Sequence, residues 1–398
     1  MGSVRSLRRT NPLTVIVGAV LCIIIFVFLL SPSSSDSTAA QLRRASAASN
    51  PLSPPTSAFR KQNEKSSSGK RIPPPVVHYH MNNVTSTADP EGNREMILIL
   101  TPLARFYQEY WDNLLKLTYP HELITLGFII PKNKEGHAAT AALQEQVTKT
   151  QKLGPEKNRF ASIIIERQDF DPPLQSQNEA ERHKMENQKA RRAAMSRARN
   201  SLLFTTLGPS VSWVLWLDSD VIETPPTLIQ DLASHDKAII VPNCFQRYYD
   251  PKDKRMAERP YDFNSWQDSD SARKLGEAMG PDDILLEGYA EMATYRTLMA
   301  YLANDSGDAK AEIPLDGVGG TALMVKAEVH RDGAMFPPFP FYHLIETEGF
   351  AKMAKRLGWS ATGLPNYKVS FYFHPIPQDL VFNKPLTHSP FQVYHYNE

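Results

Sequence analysis

The chain has 398 residues, and its 41% hydrophobic and 22% charged content is ordinary for globular protein, enough for one large domain or two small ones. A formal net charge of +1 gives no general pull toward nucleic acid. No zinc-finger, homeodomain or RNA-binding signature occurs, which excludes those classes of nucleic-acid reader.

Arg5, Arg8 and Arg9 precede Leu13 to Leu30, an uncharged and mostly apolar run about as long as a bilayer's hydrocarbon core requires. The run exceeds the roughly 7–15 apolar residues of a secretory signal peptide. No basic residue follows it until Arg43, so the positive-inside bias predicts a cytosolic tail over 1–12, one transmembrane helix over 13–30 and a single-pass type II arrangement. Residues 31–75 are rich in Ser, Ala, Pro, Lys and Arg without apolar periodicity, which predicts a disordered stem before a lumenal domain over 76–398. Cys22 falls in the span and Cys244 in the body, so no disulfide is expected within the chain. Asn83-Val-Thr85 and Asn304-Asp-Ser306 fit the N-glycosylation pattern and predict surface loops.

In the body, Met96 to Thr101 predicts a buried strand ended by Pro102, and Ala104 to Leu117 a covering helix with Phe106, Tyr110, Trp111, Leu114 and Leu115 at helical spacing. A strand over Leu123 to Ile130, a helix over Gly136 to Leu153 and a strand over Ala161 to Ile165 follow. A long basic helix, roughly Gln177 to Leu207, contains Arg191, Arg192, Arg197 and Arg199. It leads to a strand at Trp213 to Leu217, a short helix near Thr227 to Leu232 and a strand at Ala238 to Val241. Alternation at crossover spacing predicts an α/β fold: a Rossmann-like, doubly wound, mostly parallel sheet with helices on both faces.

Asp218-Ser-Asp220 stands where the Trp213 strand ends, the edge at which ligands gather on an open α/β sheet. Two carboxylates one residue apart repel unless a cation or a hydrogen-bond network neutralises them, and hard oxygen ligands suit Mg²⁺ or Mn²⁺ carrying substrate phosphates. The bland alternative is a turn and helix cap before Pro225-Pro226. Two other triplets, Asp169-Phe-Asp171 and Asp268-Ser-Asp270, do not follow directly on an apolar strand, and read as a loop and a solvated surface. Arginine on the long helix, Arg191 or Arg192 first, offers planar recognition of a diphosphate, although most such charges simply face solvent.

Beyond Val241, Tyr248, Tyr249, Tyr261, Phe263 and Trp266 surround Asp262 in a polar, loop-like region that suits a sugar or simply packs. Asp282-Asp283 precede a helix predicted over Ile284 to Leu302. Leu315-Asp-Gly-Val-Gly-Gly-Thr321 lacks the lysine of a Walker loop, so its glycines point to close backbone approach before the apolar Ala322 to Val325. Glu346 and Glu348 open a helix through Leu357, where they favour the helix start. His395 lies in the aromatic tail Val393-Tyr-His-Tyr-Asn-Glu398.

Taken together, His78-Tyr-His80, the Ile97–Leu103 strand and turn, Ala190–Asn200, Trp213–Val221, Tyr261–Trp266, Gly317-Val-Gly-Gly320, Glu346–Phe350 and Val393–Asn397 resemble the fungal mannan-polymerase family of Golgi α-1,6-mannosyltransferases. The resemblance covers about Val77 to Glu398. It implies a GT-A fold, GDP-mannose as donor, Mn²⁺ as the metal, a mannose-terminated N-glycan acceptor, transfer with retention, and sister subunits in a hetero-oligomer at the Golgi membrane. By the same resemblance, Asp218 and Asp220 look like the metal and donor-binding pair, with Asp218 also catalytic, and His395 like a third metal ligand. Asp262 looks like an active-site acid, and Arg191, Thr101 and Pro102 like donor contacts. Two other readings stand beside it: a subunit serving mainly as scaffold or acceptor binder, and a haloacid-dehalogenase-type phosphatase with Asp218 as nucleophile and Asp282-Asp283 as later metal carboxylates.

Overall fold

The computed structural model describes residues 76–81, 84–168, 184–250, 253–289, 292–304 and 306–371. Nearly all belong to the second of two compact units, 78–398. The expected membrane span and stem, Asn83, Asp169, Asp171 and His395 lie outside the described residues. Among the described residues no helix is long and apolar enough to cross a membrane.

Four parallel strands lie side by side in the order β3-β2-β1-β4, formed by β1 (Met96–Pro102), β2 (Ile124–Pro131), β3 (Ser162–Gln168) and β4 (Val211–Leu217). Helices α1 (Gln108–Lys116), α2 (Lys134–Thr148) and α3 (Met185–Thr206) connect them. Alternate residues of a strand serve opposite faces. Thus Ile97 and Ile99 of β1 and Trp213, Leu215 and Leu217 of β4 join Tyr110, Trp111 and Leu114 of α1 in one core. Leu98, Leu100, Val214 and Trp216 join Leu202 and Leu203 of α3 in the other. Burial on both faces is why these strands read as near-continuous apolar runs.

The remaining chain supplies β5 (Val221–Glu223), α4 (Leu228–Ala233), β6 (Ile239–Asp250), β7 (Arg255–Pro260), β8 (Trp266–Gln267), α5 (Asp270–Ala278) and β9 (Thr297–Leu298). It closes with β10 (Ile313–Leu315), β11 (Ala322–Lys326), α6 (Ala327–Arg331), α7 (Glu346–Arg356) and β12 (Ala361–Phe371). The sheet is mixed rather than mostly parallel. β11 inserts between β4 and β6, antiparallel to both, and β12 then runs parallel to β6. A strand arriving late in the chain can take a central place that local alternation does not reveal.

Two further expectations fail for local reasons. Tyr248 and Tyr249 sit not in a loop but on β6, which continues to Asp250 and pairs with β7 as a hairpin. The helix predicted over Ile284 to Leu302 is absent from the described residues there, which hold loop, β9 and one 3₁₀ turn at Met299–Tyr301. Ile284, Leu285 and Leu286 are buried one after another, a pattern no single helix face produces, and Gly288 has φ +83°.

Candidate active site

The C-terminal ends of β1 and β4, the glycine turn entering β11 and the middle of β6 meet at one edge of the sheet. Asp218 follows β4 directly, and its amide donates to the Thr321 carbonyl at 2.9 Å, tying the acidic pair to that turn. The pair does not cap the next helix, whose N-cap residue is Thr227. Asp262 is buried, with one oxygen accepting from the Asn264 amide at 2.9 Å. The thiol of Cys244, buried on β6, is pushed well up by burial and then by Asp262, Asp220 and Asp218, so all three carboxylates lie within electrostatic reach of that thiol.

Space for these groups comes from the glycine turn. A Cβ at Gly319 would stand 1.6 Å from Asp262 Oδ2, and one at Gly320 would stand 2.8 Å from Arg199 Nη2. Gly317 makes similar room for the Trp266 indole. The close backbone approach expected of these glycines is therefore to side chains of the chain itself.

Burial pushes Asp262 up to about 6, assisted by the charges of Asp218 and Glu348 and opposed by hydrogen bonds from Asn264 and Thr321. Asp218 is likewise pushed up, by burial first, with Arg199 and Arg191 pulling it back and Glu346 adding to the rise. Without a cation, the site disfavours full ionisation of its own carboxylates.

Arg191 and Arg192 part company here. Arg192 is buried, ion-paired to Glu348 and bonded to Asn264 at 3.1 Å, while Trp266 Nε1 donates to the other Glu348 oxygen at 2.9 Å. That guanidinium is spent on holding α7 and the 262–266 loop. Arg191 is only partly buried and its charge reaches Asp218. Thr101 is fully buried, with its hydroxyl committed to Tyr110, whose own hydroxyl senses Asp218 and Asp220. Pro102, partly buried, ends the same strand.

Reading the sequence missed the partners. Arg199 is 2% exposed and bonds Asp218 Oδ1 at 3.0 Å and Glu346 Oε1 at 3.4 Å. Glu346 and Glu348, expected only to favour a helix start, are the counterions of Arg199 and Arg192. The seven-residue interval from Arg192 to Arg199, two helical turns on one face of α3, was the available signal. Asp268, expected in solvent, is instead partly buried and ion-paired with the buried Arg296. Asp282 and Asp283 stay at the surface, bonded to Lys189 and the Gly280 amide.

The donor set fits a divalent cation. Carboxylates outnumber guanidiniums at this edge, Asp218, Asp220, Asp262, Glu346 and Glu348 against Arg191, Arg192 and Arg199, an acidic excess. Among the described residues no three His, Cys, Asp or Glu side chains could hold a metal by themselves. One or two carboxylates completed by phosphate oxygens and water is the way Mg²⁺-like ions bind beside a diphosphate.

Residues 75–340 match the Anp1 family. Mannan polymerase complex subunit mnn9 of Schizosaccharomyces pombe is 56% identical over 292 residues, 73% of this chain and 84% of that protein. Mannan polymerase complex subunit MNN9 of Candida albicans is 53% identical over 295 residues, 74% of this chain and 79% of that protein. Among solved structures, mannosyltransferase PcManGT from Pyrobaculum calidifontis, in complex with GDP-Man and Mn²⁺, aligns over 81% of this chain and 63% of that chain at 11% identity. Its TM-score of 0.35 is too low to bear on the site. Identity to the curated relatives over most of both chains displaces the phosphatase reading, and the chain belongs to the Anp1 family, the fungal mannan-polymerase family that its motifs resemble.

Proposed function

We propose that this chain is a GT-A glycosyltransferase subunit of a mannan polymerase complex. It transfers mannose from GDP-mannose, with retention, to the α-1,6-linked backbone of an N-glycan. The observation that carries the reading is the convergence of Asp218, Asp220 and Asp262 at the sheet edge, in a chain related to mannan polymerase subunits. In this reading residues 13–30 anchor the chain in the Golgi membrane with its body in the lumen, beside sister subunits.

Asp218 and Asp220, with His395 from the tail, would hold Mn²⁺, which when bound neutralises charge on the leaving diphosphate. Arg191, part-exposed beside Asp218, binds a phosphate oxygen and orients the donor. Thr101 and Pro102 shape the donor pocket at the end of β1. Asp262, pushed up to about 6, orients the acceptor hydroxyl on the face from which the diphosphate departs, as retention requires, and accepts its proton as the C1–phosphate bond breaks and the glycosidic bond forms. Buried polar groups beneath them keep the constellation rigid and limit water.

Calorimetric titration of the detergent-solubilised full chain with GDP-mannose and Mn²⁺ tests this, together with transfer to α-mannobiose. Metal-dependent binding and transfer, both lost in Asp220→Asn, are expected. Binding without transfer would leave the chain a scaffold or acceptor-binding subunit, and absence of binding would overturn the donor site.

A further inference from the structure

Of the four arginines on α3, Arg197 is exposed and Arg191 partly buried, whereas Arg192 and Arg199 are buried, Arg199 the more deeply. It is 2% exposed, lies over the rings of Trp216 and Phe336 with Cζ 5.3 and 5.7 Å from their centroids, and leaves Nη1 buried without a hydrogen-bond acceptor among the described residues. A buried ion pair with an unsatisfied donor is a poor device for stability, since apolar groups of similar volume commonly do as well or better. What the arginine accomplishes is geometric. Its Nη2 fixes Asp218 Oδ1, and its Nε reaches Glu346 at the start of α7.

Glu346 itself has φ +59°, a left-handed conformation uncommon for a residue other than glycine, asparagine or aspartate. Such strain persists only where surrounding contacts over-determine it. Glu346, Arg199 and Asp218 thus form one rigid line from the start of α7 to the end of β4. Gly320 leaves room for the guanidinium in that line. Asp218 keeps 26% of its side chain exposed, so one oxygen is held while the carboxylate still faces the open edge.

We propose that Arg199 is a positioning residue for the acidic pair: by holding Asp218 Oδ1 it presets the other oxygen for a divalent cation. Glu346 sets the guanidinium and Gly320 makes room for it. The inference rests on the proposed role of Asp218 and Asp220 in binding metal. It differs from a purely structural role in one consequence. Loss of the fork should weaken the cation's site in a protein that still folds, and excess cation should recover the rate.

The test uses the full chain in detergent, with Mn²⁺ as the probe and GDP present. Free Mn²⁺ is read by electron paramagnetic resonance, thermal midpoints are measured in parallel, and transfer is followed against Mn²⁺ concentration. Arg199→Lys keeps the charge but not the planar fork. It is expected to weaken Mn²⁺ binding about tenfold or more and to raise the half-saturating Mn²⁺ for transfer by the same factor, with kcat largely restored at saturation. Gly320→Ala leaves every charge in place; its methyl would crowd Thr347 Cγ2 at 2.7 Å and Arg199 Nη2 at 2.8 Å, and it is expected to do the same by displacing the guanidinium, so it carries the test if Arg199→Lys does not fold. Wild-type Mn²⁺ affinity in a folded variant of either kind overturns the proposal, as does a kcat loss that no Mn²⁺ concentration recovers. Failure of the wild-type chain to bind Mn²⁺ would instead overturn the metal reading of the acidic pair.

Discussion

The tripeptide Asp-Ser-Asp occurs twice in this chain, at 218–220 and 268–270, and the first aspartate of each copy grips a buried arginine. The side chains of Arg199 and Arg296 are both 2% exposed, both carry a second carboxylate, and both lie over an aromatic ring. There the likeness ends. Asp218-Ser-Asp220 ends a strand buried on both faces, so Ser219 is buried and both carboxylates converge with Asp262. Asp268-Ser-Asp270 starts a helix, so Ser269 caps α5 by accepting from the Ala272 amide, and Asp270 is 84% exposed. Identical side chains thus become a reactive edge in one place and a latch in the other. The second arginine, 3.6 Å from the Trp266 ring centroid and bonded to Glu287 at 2.8 Å, ties Glu287 to Asp268 beside that indole.

Breaking the latch should cost stability rather than chemistry. Arg296→Met leaves the buried Glu287 without its countercharge and Asp268 with only the more distant Arg273, a loss of about 3–5 kcal/mol in denaturant unfolding. The transfer rate per folded molecule should stay near wild type, and an inactive variant with an unchanged midpoint would move Arg296 into the chemistry. The second aspartates should separate in the opposite sense. Asp220→Asn is expected to lower transfer from GDP-mannose by about 10²–10³-fold, the scale of losing one group that stabilises developing charge. Asp270→Asn, exposed and paired only with Arg273 one turn on, should be indistinguishable from wild type in the same assay.

The distinction between the triplets was legible because Trp213 to Leu217 is an unbroken apolar run, whereas polar residues surround Asp268. Strands β1, β2 and β4 were legible for the same reason, each carrying its burial in consecutive residues, and β3 as a half-buried apolar run at Ile163 to Ile165. The glycines of 317–320 announced a close approach but not what approaches, since Trp266, Asp262 and Arg199 lie some fifty to a hundred and twenty residues away. Pairings at such separation leave no periodic trace. The insertion of β11 between β4 and β6 belongs to the same class, as do the partners that turn Glu346 and Glu348 from helix-start charges into counterions. Local chemistry announced the reactive edge; the parts that hold it in shape come from elsewhere in the chain.

Gly319 offers a sharper cut between reactive edge and support, because the three atoms nearest a Cβ there all belong to Asp262. A methyl group there would stand 1.6 Å from Oδ2, so Gly319→Ala must displace the carboxylate. Misplacement of about an ångström commonly costs on the order of 10²-fold in rate. Transfer should fall by that scale while Mn²⁺ affinity, set by Asp218 and Asp220, changes far less. Parallel losses in both would mean that the glycine turn supports the whole edge rather than one side chain.

The smallest effect is a titration. In the metal-free protein burial pushes Asp262 up to about 6, against 3.8 for an ordinary aspartate, because it favours the neutral acid. Between those values the folded state holds a proton that the unfolded state has released. This group's contribution to stability is therefore greatest below about pH 4 and declines, by at most about 1.4 kcal/mol per pH unit, until the folded carboxyl has ionised. Transfer runs the other way. If the ionised form accepts the acceptor's proton, the rate falls up to about tenfold per unit below pH 6. Asp218 is also raised and adds its own slope, so the measurement is the difference between wild type and Asp262→Asn at each pH. That difference should carry the Asp262 stability slope alone, and the variant should have lost the acid limb of the rate profile. A rate profile that keeps its acid limb without Asp262 would assign the limb to the Asp218–Asp220 pair.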